Sequence, residues 1–131
     1  MSNKWSKTWK SSKSPKKQRK YFYNLPLHLR KNLVSSLLSK DLRKKHSKRS
    51  ISLKKGDRVK VLRGQFRKKS GKVTRVDLKK VRIYIEGIEH IKKDGSKLPF
   101  PIHPSNLMIT ELNMEDKRRK EVLERKAKGE K

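Results

Sequence analysis

The sequence predicts a small, mainly β barrel with a basic, partly helical N-terminal extension and a C-terminal helix. Period-two alternation of apolar and polar residues is confined to residues 51–112. Residues 1–50 are strongly basic, and residues 113–131 carry opposite charges at helical spacing. Five short strands in the central span are too few for a two-sheet sandwich, so a closed or nearly closed barrel fits them better.

Composition points to a polyanionic partner. The 131 residues include 40 Lys and Arg against 12 Asp and Glu, a formal net charge of +28. Only 31% are hydrophobic, below the roughly 45–50% of globular domains, so most of the chain cannot be core. Nucleic acid is the expected partner, with an anionic membrane surface a distant second. The sequence has no cysteine, and neither a membrane span nor a cleaved secretory signal is expected.

The extension, residues 1–50, combines basic and aromatic residues. It holds 16 Lys and Arg against one acid, Asp41. Five of the eight aromatic residues lie near its start: Trp5, Trp9, Tyr21, Phe22 and Tyr23. This pattern favours an arm whose cations follow RNA phosphates while its rings stack on bases or fill grooves. The Trp pair is expected to become ordered only against RNA. The alternatives are that residues 21–23 or the Trp pair pack on the barrel, or that the Trp pair contacts a neighbouring protein.

Residues 24–45 have the spacing of a helix. One apolar stripe at i, i+4 and i+8 supports it: Leu29, Leu33 and Leu37. Asn24 is the expected N-cap, and a break is expected at residues 35–36. Ser39 can cap a second short helix, 40–45.

The barrel strands are expected at 58–62, 72–78, 81–86, 89–93 and 106–112. Residues 96–100 follow 89–93 across a hairpin turn, but the prolines at 99, 101 and 104 demote them to an edge strand or loop. The spacing of Val73 and Val76 indicates a bulge, and residues 77–80 form a turn that Asp77 caps. Asp94 and Gly95 predict a hairpin turn. Asn113 is the expected N-cap of the C-terminal helix, which is either a solvated stalk or an RNA or protein contact.

A basic loop lies between Gly64 and Gly71. No acid occurs between Arg58 and Arg75, which favours phosphate binding over a merely solvated loop. The cations in and beside this loop are Arg63, Arg67, Lys68, Lys69 and Lys72. The other predicted RNA-binding residues are Trp5, Trp9, Lys16, Lys17, Arg19, Lys20, Arg30, Lys31, Arg43, Lys44, Lys45, Lys54, Lys55 and Arg75.

No catalytic residue, cofactor or metal site is expected. The four histidines are scattered, without metal-ligand spacing, and neither a Walker A pattern nor G-x-G-x-x-G occurs. A barrel of about 60 residues offers little room for a catalytic cleft. The sequence therefore favours a binding protein over an enzyme.

Several segments together resemble a known family. KGDRVKVLRG at 55–64, GKV at 71–73, VD at 76–77 and VRIYIEG at 81–87 are similar to the KOW motif. KQRK at 17–20, SKDLR at 39–43 and IHPSN at 102–106 are similar to the flanks of the large-subunit ribosomal proteins of the L24 (bacterial) and L26 (eukaryotic) family. The resemblance covers about residues 15–125 and looks closest to the archaeal branch.

This resemblance implies an SH3-like barrel in a structural ribosomal protein. It also implies binding to the 5′ region of the large-subunit rRNA, an early role in assembly, a place near the exit of the nascent-peptide tunnel and contacts with neighbouring ribosomal proteins in the cytoplasm. No membrane insertion and no DNA partner are expected. Gln65 and Lys68 depart from the family pattern, which often has Asp and Gly there, and a Lys at position 68 reaches positive φ less easily than Gly.

Two other classes compete with this interpretation. KOW domains also occur in transcription elongation factors, but those carry a separate globular domain before the barrel, and residues 1–50 are too basic and too poor in apolar residues to form one. A cationic membrane-active or DNA-compacting protein is the other class. Equal affinity for duplex DNA and rRNA would favour it.

Overall fold

A computed structural model describes residues 5–125. Residues 126–131 of the predicted C-terminal helix, and Lys4 beside the Trp pair, lie outside this range. The elements are a 3₁₀ turn Lys7–Ser11, α1 Pro15–Tyr23, α2 Leu27–Arg30, β1 Ser35–Leu38, α3 Lys40–His46, β2 Ser50–Ser52, β3 Arg58–Val61, β4 Ser70–Asp77, β5 Arg82–Ile85, β6 Glu89–Ile91, β7 Lys97–Pro99, a 3₁₀ turn Pro104–Asn106, β8 Leu107–Glu111 and α4 Lys117–Glu124.

Six strands form one mixed sheet in the order β2-β1-β8-β3-β4-β5. Beyond β5, the chain returns: Ile102 pairs with Ile83 through two backbone hydrogen bonds of 2.8 and 2.9 Å. The 3₁₀ turn then leads into β8, which pairs antiparallel with β3. This return brings the end of the β3-β4-β5 meander back to β3. The mainly β fold class is confirmed, and the arrangement is consistent with a small SH3-like fold.

Alternation in the strands builds the core as predicted. Val59 and Val61 of β3 are buried, while Arg58 is exposed. The register between β4 and β5 shifts between Val73 and Arg75, which confirms the predicted bulge. The barrel is thus packed by inward-facing aliphatic side chains, and its cations are left on the outer surface.

The two predicted turns are also confirmed. The Asp77 carboxylate accepts a hydrogen bond from the Lys80 N–H at 3.1 Å and closes the β4–β5 turn. The Asp94 carboxylate accepts one from the Ser96 N–H at 2.9 Å between β6 and β7. Strands β6 and β7 form a separate two-stranded sheet.

The predicted helix over residues 24–45 covers only Leu27–Arg30 and Lys40–His46, and the break expected at residues 35–36 is a strand. Residues Ser35–Leu38 form strand β1, which pairs antiparallel with β2 and parallel with β8. Val34, Ser36 and Leu38 are buried at period two, and the Ser36 hydroxyl donates to the Pro104 carbonyl at 2.6 Å. The sheet therefore begins before residue 51. A parallel partner about 70 positions away in the chain outweighs the local helical spacing.

The ends of the short helices differ in part from the predicted ones. Asn24 follows α1 as its C-terminal cap, with its N–H donating to the Lys20 carbonyl at 3.2 Å, so its predicted N-cap role is wrong. Ser39 does cap α3, because its hydroxyl accepts from the Leu42 N–H at 3.4 Å. In the C-terminal segment Asp116, not Asn113, is the N-cap of α4.

Candidate nucleic-acid interface

The basic loop between β3 and β4 has a defined backbone. The Val61 N–H donates to the Lys69 carbonyl at 2.8 Å, and the Lys68 N–H donates to the Val61 carbonyl at 2.9 Å. Gly64 has φ +97° and Lys68 has φ +71°. At position 68 a lysine therefore adopts the left-handed conformation that glycine reaches most easily.

Phe66 anchors this loop to the barrel. Its ring packs edge to face on Phe100 with centroids 4.9 Å apart, and the Lys69 ammonium lies 5.2 Å from its ring centre. All five predicted loop cations are exposed: Arg63, Arg67, Lys68, Lys69 and Lys72. Within residues 5–125 none of them has a carboxylate within ion-pair distance. The loop thus presents uncompensated positive charge on a fixed frame.

The start of the extension folds back on α1. The Gln18 side-chain amide is directed at the carbonyls of Trp9, Lys10 and Ser12, at 3.2, 2.9 and 2.5 Å. The Trp5 ring lies 5.6 Å from the Tyr21 ring, and both are at least half-buried. The expectation that the Trp pair is ordered only against RNA is therefore wrong for Trp5, which has a packing partner within the chain.

Six further predicted cations of the extension lie on two short helices. Lys16, Lys17, Arg19 and Lys20 are exposed on α1, and Lys44 and Lys45 are exposed on α3. The Lys20 ammonium lies 5.8 Å from the centre of the half-buried Trp9 ring. Helix α1 thus carries exposed cations over a partly buried aromatic layer.

Four other predicted cations share a hollow of about 740 Å³ between the extension and the barrel: Lys31, Lys54, Lys55 and Arg75. Apolar side chains that include Val34 and Val76 line part of it. Lys54 pairs with Asp116, and the Arg75 guanidinium stacks 5.4 Å from the Tyr84 ring. Because Asp116 and Glu115 also line this hollow, its charge is mixed, in contrast to the loop.

Two predicted RNA-binding arginines are engaged with the protein backbone instead. Arg30 donates to the carbonyls of Phe22, Tyr23, Leu25 and Lys79, and it thereby links α1 to the β4–β5 turn. Arg43 donates from Nε to the Leu38 carbonyl at 2.9 Å. Both side chains are half-buried. The geometry gives Arg30 above all a structural role.

A buried ion pair holds α4 on the barrel. The Arg119 guanidinium donates to the two carboxylate oxygens of Asp57 at 2.5 and 2.7 Å, and both side chains are almost completely buried. Arg119 also donates to the Ser52 and Asn113 carbonyls. Leu123, one turn further along, is buried in the core. The C-terminal helix is therefore not a solvated stalk.

Burial affects two of the histidines. Desolvation, and then the nearby Arg82, hold the pKa of His103 below its ordinary value. Desolvation, then Lys45 and Lys48, lower the pKa of His46. Among the described residues no group of three His, Cys, Asp or Glu side chains could hold a metal ion, and no helix is long and apolar enough to cross a membrane.

The sequence matches, over residues 12–126, the family of the eukaryotic ribosomal proteins L26 and their archaeal L24 counterparts. It is 50% identical over 115 residues to the large ribosomal subunit protein uL24 of Methanosphaera stadtmanae, a match that covers 88% of this chain and 98% of that protein. The chain belongs to this family. It is a structural protein of the large ribosomal subunit, in the archaeal branch, and not an enzyme. Its location is accordingly the ribosome, in the cytoplasm.

In this ribosomal protein, the predicted site residues lie on several elements. Cations stand on the β3–β4 loop, on helices α1 and α3, and around the hollow between the extension and the barrel. All the predicted residues are exposed except Trp5, Trp9, Arg30 and Arg43, which are half-buried.

The sequence did not single out three features that the structure shows. One is Gln18, which folds the chain start onto α1. The second is the pair Asp57 and Arg119, whose partners lie too far apart in the chain for any spacing rule. The third is the cations of the β4–β5 turn, Lys79 and Lys80, which the LKK run at 78–80 could have indicated.

Proposed function

We propose that the chain binds the 5′ region of the large-subunit rRNA, supports an early stage of assembly and lies near the exit of the nascent-peptide tunnel. The resemblance to the L24 and L26 family supports all three points, and the charge distribution supports the first. Neighbouring large-subunit proteins are further expected partners. The protein prefers rRNA to DNA.

The observation that carries RNA binding is the loop between β3 and β4. Its exposed cations have no described carboxylate partner, and its backbone is held by hydrogen bonds and by Phe66. A rigid loop loses little conformational entropy on binding, so its charges are available for phosphates. The flanking helices add further cations that can follow the backbone of the RNA.

A binding experiment with rRNA fragments tests the proposal. The full-length protein is titrated with a transcript of the 5′ region of archaeal large-subunit rRNA, with a 3′ transcript of equal length and with duplex DNA of equal charge. The 5′ transcript should bind most tightly in moderate salt. Equal affinity for all three would overturn the proposal and favour a nonspecific polyanion binder.

The assembly role has a separate test. Large subunits are reconstituted with and without the protein, and particles are sampled over time by sedimentation. If the role is early, omission stalls assembly at a small precursor, and late addition fails to rescue it at the normal rate. Full rescue by late addition would contradict an early role while leaving RNA binding intact.

A further inference from the structure

A groove of about 1080 Å³ lies between the end of α1 and the β4–β5 turn. Phe22 and Tyr23 lie on one side and are 47% and 82% exposed, although both carry large rings. Leu33 and Val81 add apolar surface. Exposed aromatic side chains beside a concave apolar surface are typical of a binding site.

The rim of this groove is positively charged from both sides. Helix α1 contributes Arg19 and Lys20, and the β4–β5 turn with the start of β5 contributes Lys79, Lys80 and Arg82. No aspartate or glutamate is among the described residues that line the groove. The charge therefore fits an anion that also has a flat apolar face.

Arg30 fixes the two sides relative to each other. Its guanidinium donates to the Tyr23 carbonyl at 2.7 Å, to the Phe22 carbonyl at 3.2 Å and, across the groove, to the Lys79 carbonyl. Because these bonds involve backbone atoms, they leave the ring of Tyr23 and the exposed part of the Phe22 ring available to a ligand, while Phe22 packs edge to face on Tyr21 at 5.5 Å. Val81 stands in the turn with φ +53°, a strained conformation for a β-branched residue.

His103 adds a neutral polar group to the groove. Its Nδ1 lies 2.7 Å from the Ser105 hydroxyl oxygen and 3.2 Å from the Ser105 backbone nitrogen. The lowered pKa of His103 favours the neutral form near pH 7. The groove thus combines aromatic faces, an imidazole and a cationic rim.

We propose that this groove binds an unpaired nucleotide of RNA, with the base against Tyr23 and Phe22 and the adjoining phosphates on Lys79, Lys80 and Arg82. Stacking on aromatic rings with cations along the backbone is how proteins hold single-stranded RNA. A peptide would need both acidic side chains to match the rim and an aromatic side chain to stack on the rings, whereas a nucleotide carries its phosphate and its planar base together. The inference rests on the proposed RNA binding and specifies which part of the RNA this groove binds.

The test measures the affinity of the full-length protein for two probes by fluorescence anisotropy. One is a short labelled oligouridylate, and the other is a blunt RNA duplex of equal charge. Tyr23→Ala should weaken binding of the oligouridylate about 5- to 150-fold, which corresponds to about 1–3 kcal/mol per stacked base. Binding of the duplex should change less than about twofold, because a paired base cannot enter the groove. Tyr23→Phe, which keeps the ring, should retain most of the affinity.

Two matched variants separate this proposal from RNA binding in general. Leu98→Ala removes an apolar side chain that is 44% exposed on β7, away from the groove, and should leave both affinities unchanged. Arg67→Ala/Lys68→Ala/Lys69→Ala should weaken the binding of both probes if the loop binds phosphates, whether or not the groove binds a base.

The groove proposal is overturned if Tyr23→Ala leaves oligouridylate binding unchanged while rRNA still binds. It is also overturned if Tyr23→Ala affects only the retention of a neighbouring protein in reconstituted subunits, which would make the groove a protein contact. Failure of the wild-type protein to bind rRNA would instead contradict the proposed function.

Discussion

Asp57 and Arg119, 62 positions apart in the chain, form a two-point ion pair that is buried between the barrel and α4. The Asp57 carboxylate also accepts from the Lys54 and Asn113 N–H groups at 2.9 Å each. One carboxylate thus organises the entry to β3, the segment before α4 and the helix itself. Such a pair is costly to break from one side, because the remaining charge is left buried without its partner.

Arg119→Ala is expected to lower the free energy of unfolding by about 3–5 kcal/mol, since Asp57 is then left uncompensated. Urea unfolding followed by circular dichroism measures the change. Lys120→Ala is the matched control, because Lys120 is the exposed neighbour on the same helix, and it should stay within about 0.5 kcal/mol of the wild type. If both variants were equally stable, the ion pair would not hold α4 to the barrel.

Lys68→Gly is expected to raise the free energy of unfolding by up to about 1 kcal/mol. The lysine occupies the left-handed region at φ +71°, where glycine has no Cβ clash, and this relief exceeds the added entropy of the unfolded chain. Lys69→Gly is the control, because Lys69 is not among the residues with positive φ, and it should destabilise the protein. Thermal unfolding separates the two, and equal destabilisation by both would disprove the strain at position 68.

The Trp5–Tyr21 contact predicts the fluorescence of the free protein. In a Trp9→Phe background the remaining indole should emit in the blue and resist quenching, because Trp5 packs on Tyr21. Tyr21→Ala should shift the emission to the red, whereas Tyr23→Ala should not, since Tyr23 is 82% exposed and makes no ring contact with Trp5 in the described residues. A red emission from the parent protein would mean that the extension is not packed this way without RNA.

Stability should fall as the pH is lowered through the range just below 6.5. His46 and His103 both have a lowered pKa in the folded state, so the unfolded chain binds more protons there. The stabilising contribution is complete above pH about 6.5 and is lost as the pH falls from there towards the lowered values. Urea unfolding at constant ionic strength should show a smaller loss for His46→Asn/His103→Asn than for the wild type. An equal loss would assign the effect to other groups.

The strands that the sequence predicted are those with a locally visible pattern. Val59 and Val61 alternate with the cations Arg58 and Lys60, and the Asp94–Gly95 pair indicates a turn from its own residue types alone. Strand β1 could not be predicted in this way. Its inward row is Val34, Ser36 and Leu38, and the serine at its centre hides the period-two pattern. The hydroxyl is tolerated only because the distant Pro104 carbonyl accepts its hydrogen bond.

In the candidate site, too, some residues could be predicted from the local sequence and others only from tertiary contacts. Exposed loop cations could be named from charge density alone, since no nearby acid competes for them. Arg30 looked equally available, yet the fold surrounds it with backbone carbonyls that only tertiary structure brings together. Likewise, the burial of Arg119 depends on Asp57, and nothing near either residue in the chain indicates the other. Spacing rules relate residues within one helical turn or one hairpin, whereas these contacts join residues that are much further apart in the chain.

The most direct test of the account is the salt dependence of binding to the 5′ rRNA transcript. The wild type is compared with Arg67→Ala/Lys68→Ala/Lys69→Ala and with Lys92→Ala/Lys93→Ala/Lys97→Ala, which removes the same charge from exposed positions in and beside the β6–β7 hairpin. If the β3–β4 loop holds phosphates, the loop variant should lower the slope of log affinity against log salt by about 2–3, at roughly 0.7–0.9 per lost contact, and the hairpin variant should leave the slope nearly unchanged. Equal slopes for the two variants would contradict the account, because the loop would then act only through net charge.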